Sequence, residues 1–267
     1  MNHRLIIACV LAMACAIALT ECGKPAPQQT PEQTAPAPQP SAATSAADTS
    51  GAVSQEAAPP AQGAQHAEAR LVPITIKLPK PVFVGTPTNI AVPNLEAPLG
   101  HPRPPFLAPE GTTNVALRKP VTGSDEQPTI GELAMITDGD KEAAEGSFVE
   151  LGPGVQYVTV DLKARFTIYA IVVWHYHKQA VVYRGVVVQV ADDREMTKNL
   201  RTLFNNDIDN VSGRGVGKDM AYVETAEGKL IDAKGVQGRY VRLYSKGNTA
   251  NDLNHYIEVE VYGRAVQ

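Results

Sequence analysis

The sequence predicts an all-β protein built around a β-sandwich, and three observations carry that prediction. The stretch from Val155 to Val190 holds three apolar runs of strand character. VQYVTVDL (155–162) alternates apolar and polar side chains, whereas IYAIVVW (168–174) and VVYRGVVVQV (181–190) are almost continuously apolar and β-branched. From Thr112 onward, short runs of this kind recur between turns rich in Gly and Asp, the pattern of a sandwich or barrel. Helical periodicity is absent over any useful length, and Glu195–Leu203 would make a short helical turn at most.

Each apolar run has its own rationale. Alternation in 155–162 fits a strand with one solvated face, because successive side chains point to opposite sides. The unbroken run 168–174 fits a strand buried on both faces or lying at a sandwich centre, with Trp174 in the core. The polar, aromatic segment His175-Tyr176-His177-Lys178-Gln179 follows it at a strand end, where connecting segments carry chemistry.

The rest of the 267 residues divides by composition. Residues 1–21 read as an export signal, with Arg4 as the positive region and Leu5–Leu19 as an uncharged apolar stretch too short for a confident span. Leu19-Thr20-Glu21-Cys22-Gly23 resembles a lipoprotein cleavage box with Cys22 as the lipidated residue, although Glu21 departs from the small residue wanted there. Ala12-Met13-Ala14-Cys15 is a second such box, and ordinary secretion is the plainer alternative. Residues 22–69 are Pro, Ala, Gln, Ser and Thr, which cannot bury enough surface to offset ordering, so a disordered tether is expected. Residues 70–111 carry too many prolines for a central sheet, yet hold large apolar side chains. Ile74–Leu78 and Val82–Val84 are read as short strands in an extended strap that docks Val82, Phe83, Ile90 and Phe106 on the following domain, residues 112–264.

Charge and cysteines exclude several classes. A formal net charge of −4 argues against nucleic acid, which needs a basic face to displace counterions. All three cysteines lie at or before Cys22, so no disulfide or thiolate metal site exists downstream. No nucleophile elbow, HExxH or P-loop is present. A zinc site on His175, His177 and His255 would lack the carboxylate that usually accompanies it.

Six motifs in order then resemble the F5/8 type C, or discoidin, domains, a galactose-binding-like jelly-roll β-sandwich. They are Asn114-Val115-Ala116 with Val121–Ser124, Ile136–Asp140, Tyr157–Leu162, Gln189–Asp193, Gly238–Tyr244 and Ile257–Gly263. The resemblance covers about residues 112–264 and implies a structural Ca²⁺ at the Asp138-Gly139-Asp140 turn, completed by Ser147, backbone carbonyls and Glu258. Physically, two carboxylates in a Gly turn suit a hard cation, while an Asx-turn satisfied by its own backbone is the bland alternative. The acidic, Gly-rich stretch Asn205–Asp219 lies outside the family pattern and is either a pinned functional loop or a mobile one.

Family members that bind sugars do so through His, Arg, Asn and aromatic side chains at one sandwich end. The matching set here is His175, Tyr176, His177, Arg184, Asn248, Asn254, His255 and Tyr256. Those groups suit a hydroxylated ring, but satisfied core histidines would look the same in sequence. The expectation is an exported, lipid-anchored, non-catalytic protein that binds a glycan at the cell envelope. The alternative is a scaffold that engages an envelope protein through the same loops.

Overall fold

In a computed structural model of the chain, residues 70–83 and 89–266 are described. The expected signal, the tether and the lipidation candidates Cys22 and Cys15 lie outside the described residues.

The strands follow in chain order. β1 (Leu71–Pro73) and β2 (Leu107–Pro109) pair antiparallel and clasp the two ends of the strap. After β3 (Thr113–Asn114) and β4 (Val121–Gly123) comes a single 3₁₀ turn, Leu133–Thr137, and then β5 (Val149–Leu151). β6 (Gln156–Trp174), β7 (Val187–Ala191), β8 (Arg201–Asn205) and β9 (Lys229–Ser245) form the body. β10 (Asn254–Tyr256) and β11 (Glu258–Ala265) close it. The main sheet has the order β3-β11-β6-β9-β7-β8, with β4 on the first half of β6 and a separate β10-β5 ribbon.

The two expected runs 155–162 and 168–174 are thus one 19-residue strand, β6. Register shifts between Asp161 and Phe166, and again between Ile168 and Ala170, bend it against β9. Its first half pairs with β4 and its second half with β11, so the strand changes partners at the bend, as strands do at sandwich corners. One core lies between the two halves. Val158, Val160 and Leu162 from the first half meet Ile171 and Val173 from the second, together with Val188, Val190, Val241, Leu243, Val259 and Val261. Each of these side chains contributes about 1.5–3 kcal/mol by leaving water.

The opposite face of the second half explains the unbroken apolar run. Ala170, Val172 and Trp174 pack with Ile257 and Tyr262, and Ile74, Ile76 and Phe106 of the strap cover them. A strand covered on both faces has no need to alternate. Docking therefore runs through Ile74, Ile76 and Phe106, with Phe83 and Ile90 half-buried, whereas Val82 stays 56% exposed. The expected strands at Ile74–Leu78 and Val82–Val84 do not form where they are described, because the flanking prolines remove ladder donors. Arg103 pins the strap to the sheet by donating to the carbonyls of Glu227 and Gly228 at 3.0 and 2.8 Å.

The third run, 181–190, is strand only from Val187 onward. Gly185 at φ +58° and a bulge-like pairing opposite Arg184 break the segment before it, leaving one bridge, Tyr183 to Asn248. Residues 192–200 form turns rather than a helical turn.

Candidate functional site

Segments far apart in sequence meet at one end of the sandwich around a cavity of about 540 Å³, with Ala221 also in its lining. The loop before β7 supplies Val182, Tyr183, Arg184 and Gly185. The stretch after β8 supplies Asn206, Ile208, Asp209 and Val211, with Asp207 at its base. The loop after β9 contributes Lys246 and Asp252, and the strap contributes Val92 and Pro93. Pro153 and Gly154 complete the lining.

Local hydrogen bonding fixes each wall. Asp207, 2% exposed, organises the insertion: one carboxylate oxygen accepts from Val211 N (3.1 Å), the other from Ser212 N and Oγ (2.8 and 2.6 Å). Asp219 accepts from Asn205 N at 2.6 Å, and Gly217 N donates to the carbonyl of Asp207 at 2.9 Å. A Cβ on Gly217 would lie 2.5 Å from Asn205 O and Asp207 N, so only glycine permits this crossing. Asn205, Asp207, Asn210 and Asp219 thus tie the loop to itself. The strap joins it through Ala221, which donates to Asn94 O (2.9 Å) and accepts from Glu96 N (2.8 Å). Lys229 reaches the Glu96 carboxylate at 2.6 Å and lies over the Tyr222 ring.

Of the eight ligand residues expected from the sequence, Arg184 alone is exposed on the cavity, and Tyr176 is half-buried elsewhere. The other six lie inside the protein. His175 and Tyr256 are wholly buried, and His177 is 1% exposed. His175 Nδ1 sits 2.6 Å from Glu224 Oε1 and its ring stacks on Tyr183 at 4.3 Å. His177 Nε2 donates to the carbonyl of Lys141 at 2.8 Å. Asn254 accepts from Ser245 Oγ and Gly247 N and donates to the carbonyls of Gly152 and Gly154. Asn248 caps its own loop at Ala250 N and Asn251 N. His255 bridges Tyr183 OH (2.8 Å) and the Glu150 carboxylate (3.1 Å), and burial holds its imidazole below the ordinary value despite that carboxylate. These groups hold loops in place behind the cavity, where a ligand has no access to them. Lys246, Asp209 and Asp252 on the rim were not singled out from the sequence. Only the acidic composition of 205–219 signalled part of that rim.

The expected cation ligands present a mixed picture. Asp138 Oδ1 accepts from Asp140 N (2.8 Å) and Asp140 Oδ1 from Glu142 N (2.9 Å), which is the Asx-turn alternative. Ser147 is half-buried nearby in sequence, bonded through its N–H to Ala144 O. Glu258 is wholly buried, accepts from Gly139 N at 3.1 Å through Oε2, and has no hydrogen-bond partner for Oε1. Burial pushes this carboxyl up to about 9, with Glu260 and Asp138 adding to the effect. Glu258 Oε1 is thus an orphaned buried carboxyl oxygen, the kind of atom a hard cation would satisfy. Among the described residues, no three His, Cys, Asp or Glu side chains converge as a cage, so carbonyls and Ser147 would have to fill the shell.

All six motifs of the discoidin resemblance fall in order on the strands and turns of this sandwich. The fold is a jelly-roll β-sandwich. No family model matches the sequence. No curated protein matches it either. Similar solved structures include a family 89 glycoside hydrolase from Clostridium perfringens, at 17% identity and a TM-score of 0.41, over 57% of this chain and 15% of that one. The chain therefore spans less than a sixth of that hydrolase's length. A chitosan-binding module from a Paenibacillus chitosanase/glucanase aligns at 20% identity and a TM-score of 0.39, over 57% of this chain and 99% of the module. A fucose-binding module from Streptococcus pneumoniae aligns at 17% identity and a TM-score of 0.39, over 56% of this chain and 97% of that one.

Proposed function

We propose that this chain is a non-catalytic glycan-binding protein whose ligand occupies the cavity between the strap, the 206–211 insertion and the loops holding Arg184 and Lys246. The observation that carries this reading is the make-up of the cavity. Apolar walls (Val92, Pro93, Val182, Ile208, Val211) face side chains of both hydrogen-bonding senses, donors at Arg184 and Lys246 and acceptors at Asp209 and Asp252. A sugar ring needs that combination: C–H surface against apolar walls, and hydroxyls that donate and accept at once. A volume of about 540 Å³ falls within the usual range for small-ligand sites.

The same proposal places the protein at the cell envelope, exported by residues 1–21 and lipid-anchored at Cys22, with 22–69 as the tether. A Ca²⁺ ion held by Glu258, Asp138, Asp140 and Ser147 would be structural, neutralising the buried Glu258 carboxylate and fixing the turn.

A second reading, a scaffold for an envelope protein, draws on the insertion, where Ile208, Val211, Val216 and Met220 are each more than 40% exposed. A glycan array on the whole chain, followed by titration calorimetry, separates the two. Glycan binding that Arg184→Ala abolishes at unchanged melting temperature is expected. Silence across the array, with a single envelope protein captured through the insertion, would favour the scaffold. Membrane fractionation of Cys22→Ser tests the anchor, and a variant that still partitions with membrane would remove it.

A further inference from the structure

Within the proposed glycan reading, the cavity rim specifies the class of sugar more narrowly than a generic hydroxylated ring. Arg184 N donates to Gly247 O at 3.1 Å, while Arg184 O accepts from Lys246 N at 2.8 Å. Two residues of the loop after β9 thus oppose one residue of the loop before β7, a bulge-like pairing just outside the strands, and Lys246 and Arg184 both line the same cavity. Gly185, at φ +58°, supplies the left-handed backbone of the turn that follows Arg184.

The two cations so placed are uncommitted. Neither forms an ion pair or a side-chain hydrogen bond with any described residue. Asp207, at the base of the cavity, has both carboxylate oxygens occupied by Val211 and Ser212. Asp209 and Asp252 stand exposed on the rim without pairing to them. Two like charges lining one cavity repel, and an anion between them removes that repulsion and gains charge-assisted hydrogen bonds from both. Arg184 offers the planar fork that matches a carboxylate, and Lys246 adds a point charge beside it.

We infer that the cavity takes a glycan bearing a carboxylate, a uronic or sialic acid residue, with the carboxylate between Arg184 and Lys246 and the ring against Val92, Pro93 and Val211. Asp209 and Asp252 accept from hydroxyls on the far side of the ring. They repel a second acid there, so the site reads one charged residue rather than a densely charged polymer.

The test uses the whole chain and a panel of galacturonate, glucuronate, mannuronate and sialylated oligosaccharides, each paired with its carboxyl-reduced counterpart, plus inorganic sulfate as competitor. At least one acid should bind while its reduced form binds roughly tenfold or more weakly. Affinity should fall as salt shortens the screening length, and fall again in Arg184→Ala and Lys246→Ala. Equal binding of acid and reduced forms would overturn the carboxylate assignment while leaving the glycan reading in place. Full competition by inorganic sulfate at similar concentration would reduce the site to an unspecific anion site and overturn it too. Binding to no member of the panel or of a neutral glycan array would overturn both.

Discussion

His175 Nδ1 lies 2.6 Å from Glu224 Oε1, and neither side chain is exposed to solvent at all. Glu224 is placed by its backbone, whose N–H donates to Val181 O at 2.8 Å, so the pair ties the end of β6 to the segment beside the cavity. Tyr183 stacks on the imidazole and extends the network to His255 and Glu150. Breaking such a pair leaves a buried polar group without a partner, which costs about 1–3 kcal/mol. Glu224→Ala should therefore lower the denaturant midpoint. His177→Ala and Asn254→Ala should lower it too, since each strands buried groups that now hold backbone atoms in place. Midpoints at the wild-type value in these variants, with lost glycan binding, would instead make these residues ligand groups.

Much of this arrangement was legible in the sequence, and the failures have physical causes. IYAIVVW announced a strand covered on both faces because no polar side chain interrupts it, and the strap supplies the second cover. VVYRGVVVQV looked equally strand-like, but Gly185 and the bulge-like pairing at Lys246 are decided by a partner segment sixty residues away. His175, His177 and Asn254 were assigned to a ligand because polar composition at a strand end does not distinguish a rim from an interior. Their burial depends on Glu224, Lys141 O and Gly152 O, which only the fold brings to them. The cavity is illegible in the sequence for the same reason: Val92, Arg184, Val211 and Lys246 share no local pattern.

Gly228 is one of the backbone positions that tolerate no side chain. It sits at φ +63°, and a Cβ there would fall 2.7 Å from the ring of Trp174, whose Nε1 donates to Ala226 O at 3.0 Å. Gly228→Ala must both strain the turn and push the indole, and the rigid surroundings of a packed ring offer no relief. A loss of about 2 kcal/mol or more is expected. Trp174 is the chain's single tryptophan, so its emission should shift to the red in this variant alone. An unchanged emission maximum and midpoint would contradict the packing described here.

Asp161 gives the fold a defined acid limb. Its carboxylate accepts two bonds from Arg239 (2.7 and 2.9 Å) and one from Lys163 N, and the Arg239 bonds hold it well below the ordinary carboxylate range. A group whose folded value is depressed stabilises the fold above its unfolded value, and that stability is lost as pH falls through the folded one. The wild type should therefore lose stability below about pH 4, and Asp161→Asn should show a shallower decline over the same window. Parallel curves for the two proteins would remove Asp161 from the account.

The remaining prediction concerns Glu258 and the proposed cation. Without a metal, burial keeps this carboxyl protonated at neutral pH, since its value is pushed up to about 9. Replacing it by the neutral isostere in Glu258→Gln should then leave the melting temperature of chelated protein close to wild type. With a metal, the outcome differs, because Ca²⁺ requires the carboxylate and binds the folded chain alone. Its stabilisation grows with concentration, reaching about 2.7 kcal/mol at a hundredfold excess over the dissociation constant. Added Ca²⁺ should therefore raise the melting temperature of the wild type and not that of Glu258→Gln, while Asp138→Asn should need more Ca²⁺ for the same rise. Mg²⁺ should do less, since a shell assembled from carbonyls, Ser147 and carboxylates suits a larger and more flexible ion. A wild-type melting temperature that ignores both chelator and Ca²⁺ would leave Glu258 as a neutral acid bonded to Gly139 and nothing more.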